Sequence, residues 1–270
     1  KPETPRCLVN SWTTALSGPV EMWMTLSDAS KVLLVYGGLM VLAWFWVYVH
    51  SLSDVRTLRE VSIWAKPMKF MAATALFAWT TVLLAVQSRT AVEQQGAYIG
   101  IAALLIITSL FEVVYITYQG SRGEASHYND SDMFHIILFG VMAIAAIGLT
   151  ASQAWLAWEI WKEQSATGLS VVTLSVVLGL LITFALSTIS GFLLGGNQPP
   201  AGVGLPIVGW HLYRDIRPSH FLGVHAQQFI PLWGIIVDRF FGAYSTQALA
   251  AGAGTYVVLW GLLTLSSLKT

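Results

Sequence analysis

Seven stretches of the chain are each apolar for about the distance needed to cross a lipid bilayer, and nothing else in the sequence constrains the fold so strongly. A spanning helix needs roughly 20 mostly apolar residues to cover about 30 Å of hydrocarbon. Residues 32–49, 67–86, 97–118, 133–155, 169–194, 218–237 and 248–268 meet that requirement. Inside lipid, backbone amides have no water to bond to, so such segments satisfy themselves as helices. The expected fold is all-α: a polytopic transmembrane helical bundle with seven spanning helices. The sixth stretch is the most polar, with His220, His225, Gln227 and Gln228 near its start.

Composition agrees. Charged residues make up 10% of the 270-residue chain, against roughly 25% in a soluble domain. Fourteen basic residues balance fourteen acidic ones, so no bias toward nucleic acid or acidic partners is expected. Twelve Trp, nine Tyr and twelve Phe suit the membrane–water boundary. Cys7 is the lone cysteine, which excludes an internal disulfide framework. Residues 1–30 read as an extracytoplasmic N-terminal tail without the pattern of an intact signal peptide. Within it, 19–24 suits a short interfacial helix or a flexible stretch. Residues 31–270 form the seven-helix transmembrane domain.

Orientation follows from the basic residues beside the spans. With the N-terminus outside, the cytoplasmic side carries Arg56, Arg59, Lys66, Lys69, Arg122, Arg214, Arg217 and Lys269. The outer side carries Lys1, Arg6, Lys31, Arg89, Lys162 and Arg239. Eight against six favours N-out and C-in. The Trp155, Trp158, Trp161 series then forms an aromatic belt at the outer surface. The connection 195–217 is long and rich in Gly and Pro, and it is expected to fold against the mouth of the bundle.

Polar residues gather at the cytoplasmic end. The connections between helices one and two, three and four, and five and six hold Trp64 to Phe70, Gln119 to Asp130, and Trp210 to His220. Five of the six histidines follow or lie within the last two. Glu112 sits about 9 Å inside the third helix, His225 about 10 Å inside the sixth, and His135 about one turn inside the fourth. All three are expected at comparable depth, where imidazole and cationic groups would line a polar chamber. A carboxyl group in the bilayer must be neutral, paired or bound to a cation, so Glu112 is a proton relay, a cation ligand, a counter-ion or a protonated, hydrogen-bonded structural acid. His220 and His225 lie about 140° apart on an ideal helix, a poor arrangement for one metal ion. Pro231 brings no amide hydrogen to the carbonyl of Gln227, which suits a helix lining a cavity beside Gln228 and His225. Lys66, Lys69, Arg122, Arg214 and Arg217 either mark the cytoplasmic face or bind an anion. Thr183, Ser187, Ser190 and Gly191 read as a close-packing face, as do Gly252 and Gly254. Asp130 or Ser131 is expected to cap the fourth helix.

The segments Arg122-Gly123-x-x-Ser126-His127-Tyr128-Asn129, Arg217-x-x-His220-Phe221-Leu222-Gly223-Val224-His225-Ala226 and Trp64-x-Lys66-Pro67-x-Lys69-Phe70 resemble those of an uncharacterised family of bacterial seven-helix integral membrane proteins. That resemblance implies the seven-helix topology and a bacterial inner membrane, and carries no activity. Seven helices with several histidines are also similar to the adiponectin-receptor and alkaline-ceramidase group of zinc hydrolases. The chain departs from that group's ligand pattern: its seventh helix has no histidine, and His220 and His225 have the wrong spacing. The seventh helix also lacks the lysine in its apolar middle that a rhodopsin needs to bind retinal.

Three function classes follow. The first is membrane redox chemistry on haem b or a transition metal. Its imidazole ligands would be drawn from His135, His220 and His225, with His127 as an alternative partner for His225. Glu112 and His127 would be the catalytic groups, with Lys69, Arg122, Arg217 and Gln228 holding the cofactor. The second is a proton- or ion-coupled transporter or channel. The third is a membrane-embedded lipid-modifying enzyme. The expected partners are the bilayer and a small-molecule or ion ligand, with no nucleic acid; a homo-oligomer is compatible with the composition.

Overall fold

The computed structural model describes residues 23–87, 92, 95–164, 168–206 and 208–268. Cys7, most of the 1–30 tail and of segment 19–24, and Lys1, Arg6, Arg89 and Lys269 from the orientation count lie outside these residues. The described chain holds seven long α-helices: α1 Asp28–Ser51, α2 Ala65–Gln87, α3 Gly96–Arg122, α4 Met133–Gln164, α5 Val171–Gly196, α6 Arg217–Phe240 and α7 Ser245–Leu268. A two-residue antiparallel hairpin, β1 Thr57–Leu58 with β2 Val61–Ser62, joins α1 to α2. The fold is all-α. Five of the helices, α1 to α5, and the run Gly242–Leu268 containing α7 are long and apolar enough to cross a membrane. α6 is as long as α1, but its Arg, His and Gln residues make it more polar.

Local signals set the helix ends. Ser27 caps α1 by accepting the amide hydrogen of Ser30 at 3.2 Å. Ser170 does the same for Thr173 at 3.0 Å, starting α5. Gly123 ends α3 in a left-handed conformation, φ 74°, where glycine meets no Cβ penalty. For α4 the capping side chain is neither Asp130 nor Ser131. Asp132 accepts the amide hydrogen of His135 at 3.0 Å. Hydropathy also underestimates the length of several helices. α3 runs past Tyr118 to Arg122, and α4 past Trp155 to Gln164. Apolar composition stops near the lipid boundary, whereas backbone hydrogen bonding continues through it, helped by the Lys162–Glu159 pair at 2.6 Å.

The bundle is apolar outside and partly polar inside. Leu42, Trp46, Ile144 and Phe192 stand on its surface, while Thr81, Gln153, Ser175 and Thr183 are buried. Interhelical hydrogen bonds use those buried groups. Tyr36 bonds Ser109 at 2.8 Å between α1 and α3, and Thr81 donates to Gln153 at 3.3 Å between α2 and α4. The tightest seam joins α5 to α6. A Cβ on Gly223 would stand 2.9 Å from the backbone of Leu186 and Ser187, and one on Gly179 would meet Pro231 at 2.8 Å. The small-residue face of α5 therefore serves close approach of helices. Gly252 likewise makes room for the indole of Trp233, whereas a Cβ on Gly254 would meet open space.

Candidate functional site

α2, α4 and α6 begin, and α1, α3, α5 and α7 finish, at one end of the bundle, and three connections interlock there. Arg59 donates to the carbonyl of Pro199 at 2.6 Å, and the amide of Gly202 donates back to the carbonyl of Arg59 at 3.2 Å. Lys69 donates to the carbonyl of Val208 at 2.8 Å. Trp210 packs edge-on against Phe221, with ring centroids 5.3 Å apart. The long α5–α6 connection is therefore folded onto the bundle mouth.

Asp215 is its anchor. The carboxylate accepts the amide hydrogens of His211 and Arg217 at 2.7 and 3.0 Å and the Arg217 guanidinium at 2.6 and 2.8 Å. Its carbonyl accepts the hydroxyl of Ser267 from the end of α7 at 2.8 Å. Burial works to raise the Asp215 carboxyl, but the bonds from Arg217 and His211 outweigh it and hold it below the ordinary carboxylate range.

Backbone strain collects at the same end. Among the described residues, the non-glycine positions with positive φ are Arg59 (52°), Glu60 (67°), Tyr128 (56°) and Arg214 (55°). All four lie in these three connections. Arg59 and Glu60 fill the two central positions of the hairpin turn, where both residues need positive φ and Asn-Gly is the usual choice. Side chains with a Cβ pay roughly 1–2 kcal/mol there, so the surrounding bonds must hold the geometry.

Inside this frame lies a polar file. Glu112, 7% exposed, sits on α3 and feels the charge of Lys66, which begins α2. Lys66 donates to the hydroxyl of Ser126 at 2.9 Å. That hydroxyl lies 3.2 Å from Nδ1 of His127; with the ammonium as donor on one side, its own hydrogen is free to point at the imidazole. Phe70, Tyr128 and Phe139 surround the His127 ring, with centroids 6.3, 6.4 and 5.6 Å away. Burial among them, then the Lys66 charge, pushes the His127 imidazolium down to about 3, so the ring is neutral at ordinary pH. The Tyr128 hydroxyl donates to the carbonyl of Leu194, and burial raises its pKa to about 12.

The other predicted residues separate into small local clusters. His225 lies 3.2 Å from Oε1 of Gln228, whose amide donates to Thr80 of α2 at 3.0 Å. His220 pairs with Ser190 of α5 at 3.0 Å. His135 belongs to the rim, 2.8 Å from Asp132 and 3.7 Å from Glu124. Arg122 is also at the rim, paired with Glu124 at 3.1 Å and lying over Tyr118. Lys69 and Arg217 are spent on Val208 and Asp215.

Of the three residues expected at a common depth, Glu112 and His225 stay comparable while His135 lies nearer its helix end. With the helix ends observed, Glu112 is about 15 Å from the end of α3, His225 about 12 Å into α6, and His135 about 3 Å into α4. No group of three His, Cys, Asp or Glu among the described residues is arranged to hold a metal ion. Two hollows on the surface are lined by Leu259, Leu262 and Leu263 of α7 and by Val32, Val35 and Leu39 of α1 with Ile106, and none of the predicted site residues borders these two.

Ser126 escaped sequence reasoning as a site residue because a loop serine carries no signal of its own. Its only trace was the position beside His127 in a segment that already stood out. Lys66 read as a topological marker or an anion ligand, and neither reading pairs it with Ser126.

No protein-family model matches the chain, and no curated protein or solved structure is significantly similar to it.

Proposed function

We propose that the protein is a proton-coupled membrane transporter or channel whose seven helices, α6 included, all span the bilayer, with the N-terminus outside and the Lys66–His127 end in the cytoplasm of a bacterial cell. One observation carries the reading: a buried carboxyl, Glu112, is linked through the charge of Lys66 to a hydrogen-bonded Lys66–Ser126–His127 file. An intramembrane carboxyl is an expensive residue that marks ion or proton pathways. Lys66 supplies the counter-charge an ionised Glu112 needs. The Ser126 hydroxyl, which both accepts and donates, passes a proton between amine and imidazole without moving a heavy atom far. His127, neutral and partly accessible at the bundle end, is the exit group.

The redox-cofactor reading finds less support, because it needs imidazoles converging on one atom, and here each has a separate neighbour. A lipid-modifying enzyme would use Ser126 as nucleophile, yet that hydroxyl is buried beneath the Lys66 ammonium.

The test is proton flux into proteoliposomes under an imposed potential, followed with an entrapped pH dye. Glu112→Gln should lower the flux at least about tenfold, equal to about 1.4 kcal/mol of barrier, while circular dichroism reports unchanged helix content. Ser126→Ala should slow it less. Wild-type protein without flux, or undiminished flux in Glu112→Gln, overturns the reading.

A further inference from the structure

Gln227 is the least explained residue in the bundle. It is 0% exposed, and neither its amide nitrogen nor its amide oxygen has a hydrogen-bond partner among the described residues. Leaving such groups unmet is costly, and an apolar side chain of similar shape would avoid that cost. Its place is fixed: the backbone N–H of Gln227 donates to Oγ1 of Thr183 at 2.8 Å, across the α5–α6 seam. It lies about 15 Å into α6, half of a core about 30 Å thick. One turn on, Pro231 offers no N–H to the Gln227 carbonyl. A single mid-membrane residue thus presents an unmet donor, an unmet acceptor and a carbonyl lacking its usual helical partner.

The helix face beside it is also polar. From the strained end inward, His220 meets Ser190, and Ser187 and Thr183 follow along the same face of α5. Ser190 and Ser187 donate to carbonyls of their own helix, Leu186 and Thr183. Each hydroxyl oxygen so oriented keeps acceptor capacity toward the seam.

We infer that Gln227 holds internal water at mid-membrane, beside the Ser190–Ser187–Thr183 face of α5, and that this water is a station on the proton route. Water fits because it gives and accepts at once, as a primary amide requires, and a buried water typically makes about three hydrogen bonds to otherwise unmet groups. A metal cation would satisfy the oxygens and leave the NH₂ group facing a like charge. The role in conduction rests on the proton-coupled reading; the water site itself does not.

Water-edited solid-state NMR of glutamine-¹⁵N protein in lipid bilayers tests it, with Gln227→Met assigning the side-chain signal. Exposed Gln247 and the buried Gln153, hydrogen-bonded through both its amide oxygen and nitrogen, are the wet and dry standards. The Gln227 amide should gain polarisation from water as fast as Gln247; build-up as slow as Gln153 overturns the inference. Flux then separates the two ideas. Wild-type flux that Glu112→Gln abolishes should also fall at least about tenfold, again about 1.4 kcal/mol, in Gln227→Met, and an unchanged rate there removes the water from the route. A wild-type protein without flux overturns the proposed function and leaves the NMR result to decide the water site.

Discussion

His127 shows how one side chain ties stability to pH. Its imidazole is held neutral, with a pKa of about 3 against 6.5 for the free side chain. Between those values the unfolded chain binds a proton that the folded chain refuses, so stability rises with pH across roughly 3 to 6.5 and is flat above. The slope from this group is at most about 1.4 kcal/mol per pH unit, less because part of the ring meets solvent. Thermal unfolding in detergent should give a higher midpoint at pH 7 than at pH 5, and His127→Gln should flatten that difference. An equally steep dependence in the variant would show the titrating group to be elsewhere. Asp215 acts in the same sense only below the carboxylate range. Sequence alone singled out His127 and Glu112, because a histidine-rich loop and an intramembrane acid are both rare. It could not pair them with Lys66 and Ser126, since those contacts span 60 residues or fall between neighbours whose side-chain directions a loop does not dictate.

At the scale of elements, α5 and α6 are held by surface fit more than by any single bond. Gly223 is decisive, since the atoms a new Cβ would strike at 2.9 Å are backbone and cannot rotate away. Gly223→Ala should separate the helices and destabilise the protein by about 1–3 kcal/mol, read as a lower unfolding midpoint in detergent. Gly254→Ala, facing open space, is the matched control and should leave it unchanged. Spacing exposed the α5 half of this seam, because Thr183, Ser187, Ser190 and Gly191 repeat on one face. The α6 half was hidden among histidines and glutamines that drew a chemical reading. The hairpin between α1 and α2 was invisible for a related reason: Arg59-Glu60 is a poor turn sequence, and bonds from the distant 195–217 segment add to its own short ladder in holding it.

For the whole molecule, hydropathy was sufficient to find every long helix among the described residues, because length and apolarity are properties of single segments. It was weakest at α6, the helix whose polar residues face its neighbours. Exposed Tyr213 and Tyr244 flank α6 and report whether it crosses the membrane. In a Cys7→Ser background, an impermeant maleimide should reach Tyr213→Cys only from the cytoplasm and Tyr244→Cys only from outside. Labelling of both from one side would mean that α6 does not span. A last consequence comes from Asp215. One carboxylate grips the incoming loop and the first turn of α6, while its carbonyl is fastened to the closing turn of α7. None of those three segments can shift without loosening the same knot. A displacement of the last turn of α7 would therefore pull on the same segment whose Val208 carbonyl is held by Lys69, although Ser267 and Lys69 never touch.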